Sequence, residues 1–521
     1  MTKYSFSSST DNKTRSAAQV SAPAPSAADT FLPASESAPS AADTSLPAPA
    51  GRDTSAAASA ASSRSAVKDL TTGDPMKLIL GFAVPLLGGL LFQQFYNMVD
   101  SLIVGRFLGV KALAGVGSTG SINFMIIGFC MGVCNGFAIP LSQQFGARKY
   151  TEMRRFFVHS IYLCALFSVV MTTAVCLLCP WILHAMNTPA DIYSYAYQYI
   201  FLIFLGIPAT FLYNLISGAI RALGDSKAPV VFLVISSAVN IVLDLVFILA
   251  AHMGVAGAAL ATVISQLFSG LLSVLYLVRR IELLHIRRDE WTFQPHLAKI
   301  LLIMGVPMGL QYSITAIGSV ILQTAVNGLG SVYVAAQTAG GKVSIFFCTP
   351  YDALGSTMAT WGGQNVGAGR LDRLNKGLKS ASILGCCYAV AEFLIMFFFG
   401  RQLSSLFLGS AASPEELNLI LDSARLFLIT NAAFYIPLVF VNVVRFLIQG
   451  MGYSGLATLA GVCEMIGRTA AALLLIPRIG YPGACWASPI AWILADAFLL
   501  PAYFHVRRKT YATFGQARNC P

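Results

Sequence analysis

From Met76 onward the chain is a succession of apolar segments separated by short polar connections. The segments fall near 78–103, 117–141, 156–179, 193–220, 229–251, 256–279, 299–326, 333–361, 380–400, 423–449, 456–476 and 483–505. A helix of about 20 apolar residues crosses roughly 30 Å of hydrocarbon, so each can span a bilayer. The pattern predicts an all-α polytopic membrane protein with twelve transmembrane helices.

Composition supports lipid as the solvent. Of 521 residues, 56% are hydrophobic and only 11% charged, whereas soluble domains carry about a quarter charged residues. The formal charge of +11 does not mark a nucleic-acid partner, because the basic residues stand in short clusters between apolar runs. Arg148, Lys149, Arg154 and Arg155 form one, Arg279, Arg280, Arg287, Arg288 and Lys299 another, and Arg370, Arg373, Lys376 and Lys379 a third; Arg507, Arg508 and Lys509 follow the last span. If the spans alternate, all these lie on one side, and Arg106, Lys111, Arg401 and Arg478 on the other. The bias predicts that both termini are cytoplasmic.

No secretory signal opens the chain, and residues 1–70 read as a disordered cytoplasmic tail. They are rich in Ala, Ser, Pro and Thr, with a near-repeat at 25–34 and 39–48, and bury too little to offset ordering entropy. Residues 511–521 read as a cytoplasmic C-terminal tail. The eleven cysteines lie mostly in apolar runs, Cys130, Cys134, Cys164, Cys386 and Cys387 among them, and read as small buried hydrophobes. None of the six histidines has metal-ligand spacing, so no metal site is expected.

The two halves repeat at an offset of about 220 to 230 residues. Pro85 in a Gly-Phe-Ala-Val-Pro run is echoed by Pro307 in Met-Gly-Val-Pro, and Leu108-Gly109 by Leu329-Gly330. Gln144 with Gly146-Ala147 aligns with Gln364 and Gly367-Ala368, Ile207-Pro208 with Ile436-Pro437, and Leu223-Gly224 with Met451-Gly452. A Gly-Val-Ala-Gly-Ala run from Gly254 has its partner in Gly-Tyr-Pro-Gly-Ala from Gly480. Six helices per copy is even, so the copies share orientation. The expectation is an N-terminal lobe at 76–290 (helices 1–6) and a C-terminal lobe at 291–510 (helices 7–12), related by a pseudo-two-fold axis along the membrane normal and facing a central cavity.

Acids inside the spans are few, and each costs at least about 2.5 kcal/mol near the bilayer centre unless paired, protonated or wetted. Asp100 lies in the first span; Asp244 in the fifth shares a helical face with Asn240 four residues earlier. Asn214 and Thr262 add polar groups in the fourth and sixth spans, Asn214 mapping deeper than the rest. Two close carboxyls can hold a proton between them or coordinate a small cation; plain interhelical hydrogen bonds are the structural alternative. Glu464 and Arg468 are candidates for an internal C-lobe salt bridge, with Asp352 and Asp496 as looser candidates. Arg221 and Asp225 read as the charged rim of a turn. Pro85 removes a backbone hydrogen bond and favours a bend in the first helix. Phe92, Gln93, Tyr96, Gln311, Tyr312 and Gln337 are candidates for lining an aromatic and amide cavity.

Three stretches resemble one family: Tyr96 through Arg106, Gly218 through Ser226, and Gly363-Gln364-Asn365-Val-Gly367-Ala-Gly. Inside twelve spans this ordered set resembles the multidrug and toxic compound extrusion (MATE) family of the MOP flippase superfamily, from about Met76 to Arg508. Asp100, Asn214, Asn240, Asp244 and Thr262 resemble the cation site of its DinF-like branch, and Pro85 occupies the place of that branch's bending proline. The resemblance implies a bacterial inner-membrane transporter, not an enzyme, with no cofactor beyond a coupling ion, H⁺ or Na⁺. It implies antiport of small organic compounds, cations foremost, by alternating access; a monomer in the lipid bilayer is expected, with no nucleic-acid partner. The sequence departs from the NorM-like pattern in having no acid in helices seven and ten. A lipid-linked oligosaccharide flippase is the alternative within transport, but should line its cavity with several cationic residues, whereas the charges inside the spans here are mostly acidic, with Arg445 and Arg468 as exceptions. A membrane-embedded enzyme should show a convergent acid-base or metal constellation, which the sequence lacks.

Overall fold

The computed structural model describes residues 68–519, apart from residue 187 and residues 409–412. The predicted tail up to residue 67 lies outside the described residues. Every span is a helix, and among the described residues there is no strand. In chain order they are α1 (Pro75–Leu108), α2 (Gly120–Gly146), α3 (Tyr150–Ala185), α4 (Ala190–Leu205 and Ile207–Ala222), α5 (Lys227–Leu245) and α6 (Val255–Arg280). The second half repeats them as α7 (Pro295–Asn327), α8 (Ser331–Gly367), α9 (Leu371–Ser405), α10 (Pro414–Ala432 and Tyr435–Gly450), α11 (Ser454–Ala470) and α12 (Ala487–Asn519).

Nine described helices are long and apolar enough to cross a membrane, and eleven when each of the two bent pairs counts as one span. The remaining span, α8, is 37 residues long but carries Lys342, Asp352 and Gln364, which lowers its apolar character. The bends in α4 (46°) and α10 (51°) fall at matching places. Pro208 and Pro437 sit in the first turn after each break, where a missing N–H costs nothing in the new segment but cannot continue the old one. A second matched irregularity is a π-helical turn, Val246–Ala250 after α5 and Ala471–Leu475 after α11. By contrast α1 runs unbroken through Pro85.

The end of the molecule that carries the starts of α1 and α7 and the α2–α3 and α8–α9 connections is here called the base. There the two halves exchange segments. Leu70, Ile79, Phe82 and Leu86 are buried in the core built by α8–α12, while Leu297, Ile300 and Leu301 at the start of α7 are buried in the core of α2–α6. The expected tail boundary at residue 70 is therefore corrected: Leu70 is 0% exposed. Its amide donates to Gln364 Oε1 (2.9 Å), and its carbonyl accepts from Arg373 Nη2 (3.2 Å). Arg373 Nη1 also reaches the Gly73 carbonyl (2.9 Å). On the other lobe the Lys68 amide donates to the Leu223 carbonyl (3.1 Å), and a Cβ at Gly224 (φ +88°) would collide with the Lys68 carbonyl. Residues 68–74 thus form a strap across both lobes. At the other end α12 continues helically to Asn519, through most of the expected C-terminal tail.

The connection between lobes is anchored as firmly. Glu290, 1% exposed, accepts from Arg154 Nε at 2.8 Å and from the Arg287 amide at 2.9 Å. The Gln294 amide donates to His159 Nε2 (2.7 Å), and His159 Nδ1 on the other side of the ring meets the Arg155 carbonyl (2.7 Å).

Candidate functional site

A cavity of about 480 Å³ lies between the lobes, in the size range of sites for small organic molecules. Its position follows from α2. Phe124, Ile127, Met131 and Asn135 of this helix face the cavity. Asn135, Ala138, Ile139 and Ser142 face a smaller void of about 40 Å³. The next residue, Gln143, is part of the closure at the base.

That closure is two-fold symmetric. Gln143 Nε2 donates to the Gly450 carbonyl (3.0 Å), and Gln364 Nε2 donates to the Ala222 carbonyl (2.9 Å). A Cβ at Gly146 would strike the Gln364 carbonyl, and one at Gly367 the Gln143 carbonyl. Only glycine permits this backbone approach. The counterpart of Gln364 is accordingly Gln143, three residues before its glycine, and not Gln144 as the sequence alignment has it.

In the N-terminal lobe, Asp100 and Asp244 are neighbours across α1 and α5. Asp244 is 0% exposed; both its carboxyl oxygens and Oδ1 of Asp100 are buried without a hydrogen-bond partner. Two carboxylates so placed repel, and a shared proton or a bound cation removes the repulsion. Neither acid lines the cavity, but Asn240, one turn before Asp244, does, and its amide atoms also lack partners. Asn214 and Thr262 line the cavity as well; their side chains bond their own helices, at the Thr210 carbonyl (2.8 Å) and the Ala258 carbonyl (3.0 Å). Tyr199, missed in the sequence reading, lies close to Asp100, Tyr96 and Asp244 and is 8% exposed. Its signal was weak, one tyrosine among several in the first piece of α4.

Of the six candidates for the cavity wall, Gln93, Tyr96, Gln311 and Tyr312 line it. The other two are corrected. Phe92 is absent from the lining and pairs with Phe95 (centroids 6.4 Å apart). Gln337 is held by the Tyr481 hydroxyl (3.3 Å), because α8 turns this face toward the segment before α12.

In the C-terminal lobe Glu464 bridges two arginines, accepting from Arg468 Nη2 (3.2 Å) and from Arg445 Nη2. Asp352 shares the cavity lining with them, and Asp496 does not. Arg221 is not on a turn's rim: it lines the cavity at its floor and donates to Asn135 Oδ1 (3.1 Å). Asp225 is 8% exposed and caps α5, accepting from the Ala228 amide (3.1 Å) and the Tyr276 hydroxyl (2.8 Å). Glu392, which the sequence reading passed over, is wholly buried and accepts from the Tyr351 hydroxyl (2.6 Å). A lone acid in the apolar run from Ala389 to Phe399 was a usable signal.

The MatE family model matches residues 85–246 and 307–472, and the two matches start 222 residues apart, as the internal repeat requires. The chain is 28% identical over 342 residues to the probable multidrug resistance protein YpnP of Bacillus subtilis, covering 65% of this chain and 76% of that one. To DNA damage-inducible protein F of Escherichia coli it is 29% identical over 219 residues, covering 41% and 46%. Its fold is similar, with TM-score 0.78 and 22% identity over 86% of this chain and 98% of the other, to an outward-facing multidrug resistance MATE family transporter of the MOP superfamily.

Proposed function

Since the chain belongs to the MatE family of multi-pass membrane transporters, we propose that it exports small organic molecules in exchange for H⁺ or Na⁺ bound at Asp100 and Asp244. The observation that carries this reading is the pair itself: two neighbouring carboxyls, Asp244 buried with no donor on either oxygen and Asp100 with none on its buried Oδ1, and Asn240 one turn from Asp244 on the cavity wall. A cation entering the pair removes a like-charge repulsion and pulls α1 and α5 together at that point. Exchange requires the organic substrate to bind the unloaded lobe better than the loaded one. Pro85, with its unmade hydrogen bond, is the point on α1 where the change of shape is accommodated.

The base, which bears the basic clusters, faces the cytoplasm in this reading, and its closure by Gln143, Gln364 and the strap corresponds to an outward-facing state. The aromatic faces of Tyr96, Tyr213 and Tyr312 in the cavity wall suit an organic cation.

Efflux of a fluorescent organic cation from cells tests the assignment. Asp100→Asn and Asp244→Asn are each expected to abolish the uncoupler-sensitive component; undiminished efflux in both variants rejects the site. Proteoliposomes with proton and sodium gradients imposed separately identify the ion.

A further inference from the structure

The cavity has a charge character that an exporter of simple cations does not need. Three arginines line the cavity, Arg221, Arg445 and Arg468, against two carboxylates, Asp352 and Glu464. Both arginines of the C-terminal lobe pair with Glu464, and Asp352 and Asp496 stand near Arg445. The two arginines are 5% and 8% exposed, and Arg445 Nε and Arg468 Nη1 have no hydrogen-bond partner. Arg221 donates to a neutral amide, and the groups facing it are the Tyr213 and Tyr312 hydroxyls and the Cys134 thiol. A guanidinium removed from water without a counter-charge is unfavourable, and an anion arriving between such groups relieves that cost.

Resting on the export reading, we propose that the substrates carry an anionic group, a carboxylate, phosphate or sulfonate, and that Arg221, Arg445 and Arg468 form its subsite in the cavity. The fork of donors on each guanidinium matches the oxygens of such a group. The hydroxyl and amide wall of α4–α6, with Gln266, Ser265 and Asn240, takes the remainder of the molecule. A zwitterionic amphiphile, its anion on the arginines and its cationic ring system against Tyr96 and Tyr213, fits both walls.

The test uses two dyes that differ in one group, a free-acid rhodamine and its methyl ester, titrated into the purified full chain and read by fluorescence polarisation. The free acid is expected to bind about tenfold more tightly than the ester, the size of one charge-assisted hydrogen bond. Arg221→Gln, which can still bond Asn135, is expected to lower acid affinity about tenfold and leave the ester unchanged. Asp352→Asn, removing a cavity carboxylate, is expected to act in the opposite sense on the acid. Equal binding of acid and ester, or an equal loss of both in Arg221→Gln, overturns the subsite. Displacement of the acid dye by a short-chain anionic phospholipid supports the subsite and names a lipid headgroup as the source of the anion; resistance to it supports a soluble organic acid. The export reading is judged separately, by transport of either dye in proteoliposomes. Ester transport driven by an imposed ion gradient without preferential acid binding sinks the subsite alone, whereas acid binding without transport of either dye sinks the export reading alone.

Discussion

Gln143 and Gln364 make the same hydrogen bond in opposite directions, each reaching across the lobe interface to the carbonyl at the end of the other lobe's bent helix, Gly450 for one and Ala222 for the other. Their own carbonyls receive Gly367 and Gly146. The duplicated sequence thus closes the base on itself, and any opening at this end must break both bonds.

Replacing either glutamine by leucine removes one bond worth about 1 kcal/mol from the closed base. Gln364→Leu is expected to have the larger effect, because it also strips the Leu70 amide of its buried acceptor. Spin labels at exposed Lys149 and Lys376 would read this as a larger population of long distances, greater for Gln364→Leu than for Gln143→Leu.

Gly367→Ala places a methyl group against the Gln143 carbonyl. Backbone cannot yield as a side-chain tip does, so the closed base is expected to lose roughly 3 kcal/mol or to hold open. The same label pair should lengthen while helical content, read by circular dichroism, stays constant.

Arg373 holds the strap through its fork, donating to Leu70, Gly73 and Asn365, and lies over the Trp361 ring (4.9 Å to the centroid). Arg373→Lys keeps the charge and loses the geometry. Trypsin cleavage after Lys68, followed by mass spectrometry, is expected to accelerate about tenfold, in proportion to the population of released strap. An unchanged rate would mean that the Lys68 and Leu223 bond suffices alone.

Glu290 lies outside the spans. Burial pushes its carboxyl up, but the hydrogen bonds from Arg154 and the Arg287 amide, with the charges of both arginines, hold it below the usual carboxylate range. A depressed folded value means that its contribution to stability is complete above the unfolded value of about 4.3 and is lost as pH falls through the lower folded value. Wild-type thermal stability should therefore fall in that acid window, with a flatter profile in Glu290→Gln. At neutral pH the variant should be weaker by roughly 3 kcal/mol, because Arg154 is left without its counter-charge.

The sequence made legible whatever is carried by runs and repeats. Apolar length gave the spans, and lone acids in them gave Asp100 and Asp244. Less visible were features set by helix rotation and register. Arg221 sits four residues before Asp225 in a segment that reads as a polar turn, yet it is still within α4, whose bend turns it into the cavity. Gln143 and Gln144 are adjacent, and only the packing of Gly146 on Gln364 decides between them. Phe92 and Gln93 are also adjacent, and one helical step separates the lining from its exterior. The π-turns left no trace in composition, although each follows a buried charged group, Asp244 in one lobe and Glu464 with Arg468 in the other.

The exchange of α1 and α7 between cores bears on how the chain can be cut. A fragment ending before Gln294 would leave its core without Leu297, Ile300 and Leu301, and the complementary fragment would lack Leu70, Ile79 and Phe82. Each piece made alone would present an unfilled apolar socket, so a split version should be recovered only when both pieces are synthesised in the same cell and meet in the same bilayer.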